Sequence, residues 1–150
     1  MILEGKIRIK APIQKLWDMV LEPETLRACV PGAEKIERLD ERTYDTVVQQ
    51  KVGPIKVRFK MKVFLTTVEP PTHVELEGEG EDIGKAGRVI QKTAVDLKEI
   101  PGGEVEISYK ADVNIVGKLA MFGDRIMRAK AKQVEEEFTA ALQEKLQSAS

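Results

Sequence analysis

The sequence contains one cysteine, Cys29, and one histidine, His73. An internal disulfide is thereby excluded, and a metal site built from several Cys and His ligands nearly so. An excess of charge of one sign is also lacking: 24 Lys and Arg stand against 25 Asp and Glu, for a formal charge of −1. No whole-molecule field attracts nucleic acid or an acidic substrate, so an electrostatic partner would have to see a local patch. Long apolar runs are missing as well. The opening Met-Ile-Leu-Glu-Gly-Lys-Ile-Arg-Ile-Lys interrupts each apolar stretch with a charge and offers no signal-peptide core. Nowhere does the chain approach the ~20 apolar residues of a membrane span. A soluble, cytoplasmic protein is expected, one that would touch a membrane only from its inner face. Aromatic residues are scarce, at 5% against 42% apolar, so the interior must be mostly aliphatic. At 150 residues the chain has the usual size of a single domain, here expected over residues 1–150, and can bury about 68–70% of its unfolded surface.

What is present is a sequence of clear periods. Leu3, Gly5, Ile7 and Ile9 alternate with charged residues, as in a half-buried strand. Ala11-Pro12 stops that strand, and Pro12 opens a helix with Ile13, Leu16, Trp17 and Val20 on one stripe. A second short helix begins at Pro23-Glu24, turns Leu26 inward and ends at Cys29-Val30-Pro31-Gly32. About eighty residues of strand follow. Tyr44, Thr46, Val48, Gln50 and Val52 lead into Gly53-Pro54, and Ile55, Val57, Phe59, Met61, Val63 and Leu65 lead out of it. Val74 and Leu76 follow a Pro70-Pro71 turn, then Val89, Gln91, Thr93, Val95 and Leu97. Pro101-Gly102-Gly103 makes the last hairpin before Val105, Ile107, Tyr109, Ala111, Val113 and Ile115. From Gly117 to about Gln147 one apolar stripe predicts a single helix about 45 Å long. Strand, two helices, six strands and a long helix make an α+β chain with an antiparallel sheet of about seven strands.

The basic row Lys56, Arg58, Lys60 and Lys62 invites a binding-patch reading. A hairpin centred on Pro70-Pro71, however, brings Lys60 and Lys62 opposite Glu81 and Glu79, a solvated ladder. The first half of the long helix carries Lys118, Arg125, Arg128, Lys130 and Lys132, and the second half Glu135, Glu136, Glu137 and Glu144. The macrodipole favours the reverse order. Either the basic half faces an anionic lipid surface or an acidic protein, or it is matched to acidic strand ends nearby. Gly123 inside that helix costs about 1 kcal/mol relative to alanine, so a neighbour approaches its backbone closely or the helix bends there.

Candidates for catalysis are few. His73 follows a turn and reads as a surface residue, and Cys29 reads as a small buried hydrophobe. No carboxylate pair is placed inward by the alternation. The glycines at 78, 80, 84 and 87 precede a strand rather than a helix, so they form no phosphate loop. Gln91, Thr93 and Tyr109 are the polar residues turned inward, able to bond a ligand headgroup or one another.

Leu3-Glu4-Gly5, Ala11-Pro12, Trp17, Pro23-Glu24-Thr25-Leu26 and Cys29-Val30-Pro31-Gly32-Ala33-Glu34 resemble the start of the CoxG family of carbon monoxide dehydrogenase proteins. Lys51-Val52-Gly53-Pro54-Ile55-Lys56 and Gly117-Lys118-Leu119-Ala120, with Gly123 and Arg125, extend the resemblance over nearly the whole chain. It implies a START-like helix-grip: a curved antiparallel sheet wrapped around a long C-terminal helix, with two short helices after the first strand and an apolar cavity within. It also implies a role beside molybdenum-containing carbon monoxide dehydrogenases and related hydroxylases, attaching them to the cytoplasmic membrane. The chain ends at Ser150 without the Pro/Ala-rich extension and apolar tail of some longer members, so a built-in anchor is not expected.

On that architecture the expected ligand site has Leu26 and Val30 at its mouth, Phe59, Met61 and Val63 on the central strand, and Gln91, Tyr109 and Val113 opposite. Leu119, Phe122 and Ile126 would form the helical wall, and Lys118, Arg125, Arg128 and Lys132 the surface for a partner enzyme or membrane. The expected function is that of a non-catalytic accessory protein holding a lipophilic molecule such as a quinone, with no metal, no other cofactor and no nucleic acid. Two alternatives stand beside it: a cyclase- or hydrolase-type enzyme using Tyr109 and Cys29, and a ligand-free docking scaffold.

Overall fold

The computed structural model describes residues 1–148. Strand β1 (Ile2–Lys10) is followed by the short helices α1 (Ile13–Val20) and α2 (Pro23–Cys29). Six strands come next: β2 (Ala33–Arg38), β3 (Thr43–Val52), β4 (Ile55–Glu69), β5 (His73–Asp82), β6 (Arg88–Ile100) and β7 (Glu104–Val116). The two helices carry the chain from one edge of the sheet to the other. Successive hairpins then bring it back until β7 pairs with β1, in the order β1-β7-β6-β5-β4-β3-β2. Every pairing is antiparallel. Helix α3 (Gly123–Ser148) closes the chain and runs close to α2, to β1 and to β3. Strands from both flanks of one sheet can reach the same helix only if the sheet curls around it, and this is the helix-grip that the resemblance implies.

The hairpin register follows the charges. Lys60 stands opposite Glu81 and Lys62 opposite Glu79, as the alternation predicts. Among the described residues neither pair closes to ion-pair distance. Arg58 instead reaches Glu34 at 2.7 Å.

The long C-terminal helix needs correction. Lys118–Phe122 is a separate 3-10 turn, and α3 itself has 26 residues, or about 39 Å. Gly123 breaks the two apart with φ 77° and ψ 168°, a conformation that side chains strongly disfavour. Nothing lies within 4 Å of the place where its Cβ would stand. The glycine therefore serves the bend, and no neighbour approaches it.

Two apolar clusters hold the sheet to its helices. The larger gathers Ile9, Leu16, Trp17, Tyr44, Val105, Leu142 and Leu146, with Cys29 among them. The smaller surrounds Leu119 with Val52, Val57, Phe59 and Phe122, near the turn joining β3 to β4. Both are aliphatic for the most part, as the composition requires.

His73 is less plain than its sequence context implies. Its Nε2 lies 3.0 Å from Glu75 Oε2 and its Nδ1 2.7 Å from Asp96 Oδ1. Hydrogen bonds to Glu75 and then Asp96 hold its pKa above the ordinary imidazole value. Stability from the protonated ring is therefore complete below about pH 6.5 and is lost as pH rises through the raised pKa. Thermal unfolding of wild type and His73→Gln should show a Tm difference that shrinks on going from about pH 6 to about pH 8. A difference that grows would refute the ion-pair account.

Candidate functional site

Between the two clusters the concave face carries residues most of which belong to neither, with Val63 bordering the larger and Ile115 the smaller. Across the floor, Val113, Gln91, Gly78 and Val63 stand opposite one another in successive strands. The next row reads Ile115, Val89, Gly80, Met61 and Thr46. Ala131 and Val134 face this floor from α3, at the helical spacing that places Met127 and Phe138 in the clusters on either side. Met61, Val89, Val113, Ala131 and Val134 are only half-buried. An inward-facing aliphatic residue in a packed core loses nearly all its exposure. These residues keep part of their exposure, as Phe59 and Phe138 at the cluster edges do, and form an apolar band between sheet and helix.

The floor glycines have a purpose in that band. A Cβ on Gly78 would stand 3.0 Å from the Gln91 side-chain nitrogen, and one on Gly80 would overlap Met61. Their missing side chains let Gln91 and Met61 lie along the floor. Thr93 Oγ1 donates to Gln91 Oε1 at 2.8 Å.

At the β1 side of the band, the Tyr109 hydroxyl donates to Glu135 Oε1 at 2.7 Å. Gly5, directly across from Tyr109, makes room: a Cβ there would run into Glu135 Oε1 and the Tyr109 hydroxyl. Burial, and then the bond to Glu135, push the Tyr109 pKa well up, so the phenol stays protonated as a hydrogen-bond donor. Glu135 is absent from the sequence-derived candidates, where it falls in with the acidic second half of the helix. Its signal is present all the same. Ala131, Glu135, Phe138 and Leu142 fall at i, i+4, i+7 and i+11, so this carboxylate interrupts an apolar stripe.

The remaining candidates distribute as follows. Met61, Gln91 and Val113 lie in the band, Val63 borders the larger cluster, and Tyr109 stands at its side. Leu26 packs against the larger cluster, and half-buried Val30 ends α2. Phe59 and Phe122 pack around Leu119, which is 0% exposed and closes one end of the band as core. Ile126 does not join them; it is 39% exposed on the first turns of α3. Cys29 is packed in the larger cluster, where burial raises its pKa against a smaller pull from Lys145, which disfavours a nucleophilic thiolate.

At the end of the molecule where α3 begins, Lys85, Arg88, Lys118 and Arg125 are exposed and, among the described residues, make no ion pair. Lys132, two turns further along α3, is exposed too, while Arg128 donates to the Ile2 carbonyl at 2.7 Å. Lys51 faces Lys56 directly across the β3–β4 hairpin, an unfavourable like-charge pairing. The same end exposes Met121 (83%), Ile83 (53%) and Val116 (50%). No described helix is long and apolar enough to cross a membrane. Among the described residues no group of three or more His, Cys, Asp or Glu is placed to hold a metal.

Solved structures share this architecture. A conserved protein from Geobacillus kaustophilus is 23% identical, with a TM-score of 0.91 over 99% of this chain and 97% of that one. A START superfamily protein from Mycobacterium smegmatis, 9% identical, superposes with a TM-score of 0.74 over 99% of both chains. The Zhui aromatase/cyclase from Streptomyces sp. R1128, 10% identical, gives 0.71 over 97% of this chain and 92% of that one. At these identities the likeness concerns the fold alone. No curated protein matches the chain. The carbon monoxide dehydrogenase family CoxG, by contrast, matches over residues 5–147. Nearly the whole chain is covered, including the turn motifs and the band between the clusters, and the chain belongs to the CoxG family of carbon monoxide dehydrogenase subunits.

Proposed function

We propose that the chain is a non-catalytic accessory protein of a molybdenum-type carbon monoxide dehydrogenase or related hydroxylase, holding a lipophilic small molecule in the band between its two clusters. The observation that carries this reading is the accessible apolar surface of Met61, Val89, Val113, Ala131 and Val134 on inward-facing positions. Ligand sites are typically concave and apolar, with a few placed polar groups, here Gln91 and the Tyr109–Glu135 pair. A quinone or other isoprenoid suits a dehydrogenase that must pass electrons to a membrane. Tyr109, tied as a donor to a carboxylate, supports ligand positioning more than proton transfer, and buried Cys29 supports no covalent step.

Native mass spectrometry of gently purified protein, followed by organic extraction, tests the reading. A stoichiometric lipophilic species is expected. A clean apo mass, unchanged after incubation with membrane lipid extract, would overturn it in favour of a docking scaffold.

The same reading gives the tip around Met121 the task of linking the enzyme to the inner face of the membrane. Basic side chains near an anionic bilayer each contribute about 1 kcal/mol, and an exposed apolar residue adds an anchor. Charge reversal at Lys118 and Arg125, combined with Met121→Asp, should lower binding to phosphatidylserine-containing vesicles by at least about tenfold in cosedimentation. Unchanged vesicle binding with lost binding to the dehydrogenase would assign this tip to the protein partner instead.

A further inference from the structure

We infer that Glu135 sets the chemical class of the cargo: a neutral lipophile bearing a hydroxyl donor, with free carboxylates and phosphates rejected. The inference rests on the carrier reading above and specifies what its site accepts.

The two oxygens of Glu135 differ in what they bond. Oε1 is committed to the Tyr109 hydroxyl at 2.7 Å, and no described residue donates to Oε2. Tyr109 and the missing side chain of Gly5 hold the carboxylate in place beside the band. The second oxygen is thus a held acceptor beside the band, open to a donor on an incoming ligand.

Among the described residues no Lys or Arg closes to ion-pair distance on Glu135, Lys132 one turn earlier on α3 being exposed. Asp82, an acid on an inward position of β5, is buried and accepts from the backbone N–H groups of Arg58 and Ala86. Arg128, two turns earlier on α3, is engaged with the Ile2 carbonyl, and Lys130 Nζ with Gln133 Oε1. An incoming carboxylate would therefore meet a like charge that no described ion pair offsets, whereas an alcohol or phenol would donate to Oε2. Like-charge juxtaposition of this kind is an effective device for excluding the wrong ligand. Of a quinone couple, the quinol with its two hydroxyls meets the requirement.

The test compares myristyl alcohol with myristate, equal in chain length and different in headgroup. Each is titrated at about pH 8, where the acid is ionised, against protein loaded with the neutral dye Nile red. Wild type should bind the alcohol at least about tenfold more tightly than the acid. In Glu135→Gln, which keeps an acceptor for Tyr109 and removes the charge, the two affinities should converge to within about threefold. Circular dichroism confirms that the variant folds. Should the acid bind wild type as well as the alcohol, the inference fails while the carrier reading stands. Selectivity that survives in Glu135→Gln would likewise remove Glu135 as its source. If neither compound displaces the dye and neither adds mass in native spectrometry, the carrier reading falls and the inference with it.

Discussion

Ala131→Trp should abolish uptake of lipophilic cargo, weakening it by about a hundredfold or more, while leaving the protein about as stable as wild type. Ala131 faces the floor of the grip from α3 and is half-buried, between a cluster built around Leu142 and one built around Leu119. An indole at this position would occupy the space above Gln91 and Val113 that the carrier reading reserves for ligand. Were the band an ordinary packed core, the same substitution would overpack it and cost about 1–3 kcal/mol. Urea unfolding and dye displacement on one preparation separate the cases. Lost binding with retained stability supports a cavity. Lost stability would indicate a packed scaffold, and retained binding would move the ligand elsewhere.

Gly32→Ala should cost about 3 kcal/mol or more, the largest single-residue stability loss expected outside the core. Gly32 has φ +77°, and a Cβ built on it would collide with the backbone carbonyl of Gln49. The contact cannot open easily, because the Gln49 amide donates to the Gly32 carbonyl at 2.8 Å. Gln50 secures the same turn by donating its side-chain nitrogen to the Pro31 carbonyl. Left-handed backbone alone costs a non-glycine residue about 1–2 kcal/mol. Gly103 supplies the control, with φ +75° and nothing within 4 Å. Gly103→Ala should show the strain by itself, about 1–2 kcal/mol in urea unfolding. Equal losses at the two positions would mean that the Gln49 contact contributes nothing.

These glycines also explain why the turn phrases are informative. Gly32 closes the Cys-Val-Pro-Gly turn onto β3, and Gly53 of Val-Gly-Pro is where Phe122 packs, its ring 3.2 Å from a Cβ built there. Each phrase marks a glycine of positive φ set tightly against a neighbour, a backbone oxygen at Gly32 and the Phe122 ring at Gly53. Such positions are demanding in residue type, and so they stand out as words in the sequence.

Strand and helix periods, the hairpin register at Pro70-Pro71 and the aliphatic character of the core were determined by the sequence itself. They follow from local alternation, turn chemistry and opposite charges on successive strands, all of which act over a few residues or one hairpin. The same local logic misjudges Gly117 to Gln147. A helical stripe of apolar residues does not register that Gly123 adopts a left-handed conformation, and Leu119 reads as helix wall although it is the buried centre of a cluster. Which inward residues pack and which stay accessible was decided only by tertiary structure. Phe59, Met61 and Val63 share one face of β4, yet Phe59 joins one cluster, Val63 borders the other and Met61 lies between them. Glu135 and Tyr109 are 26 residues apart and meet because the curl of the sheet brings β7 beneath the side of α3. Curvature is a property of the whole sheet. No run of neighbouring residues carries it, and the distances that make the site exist only once the grip has closed.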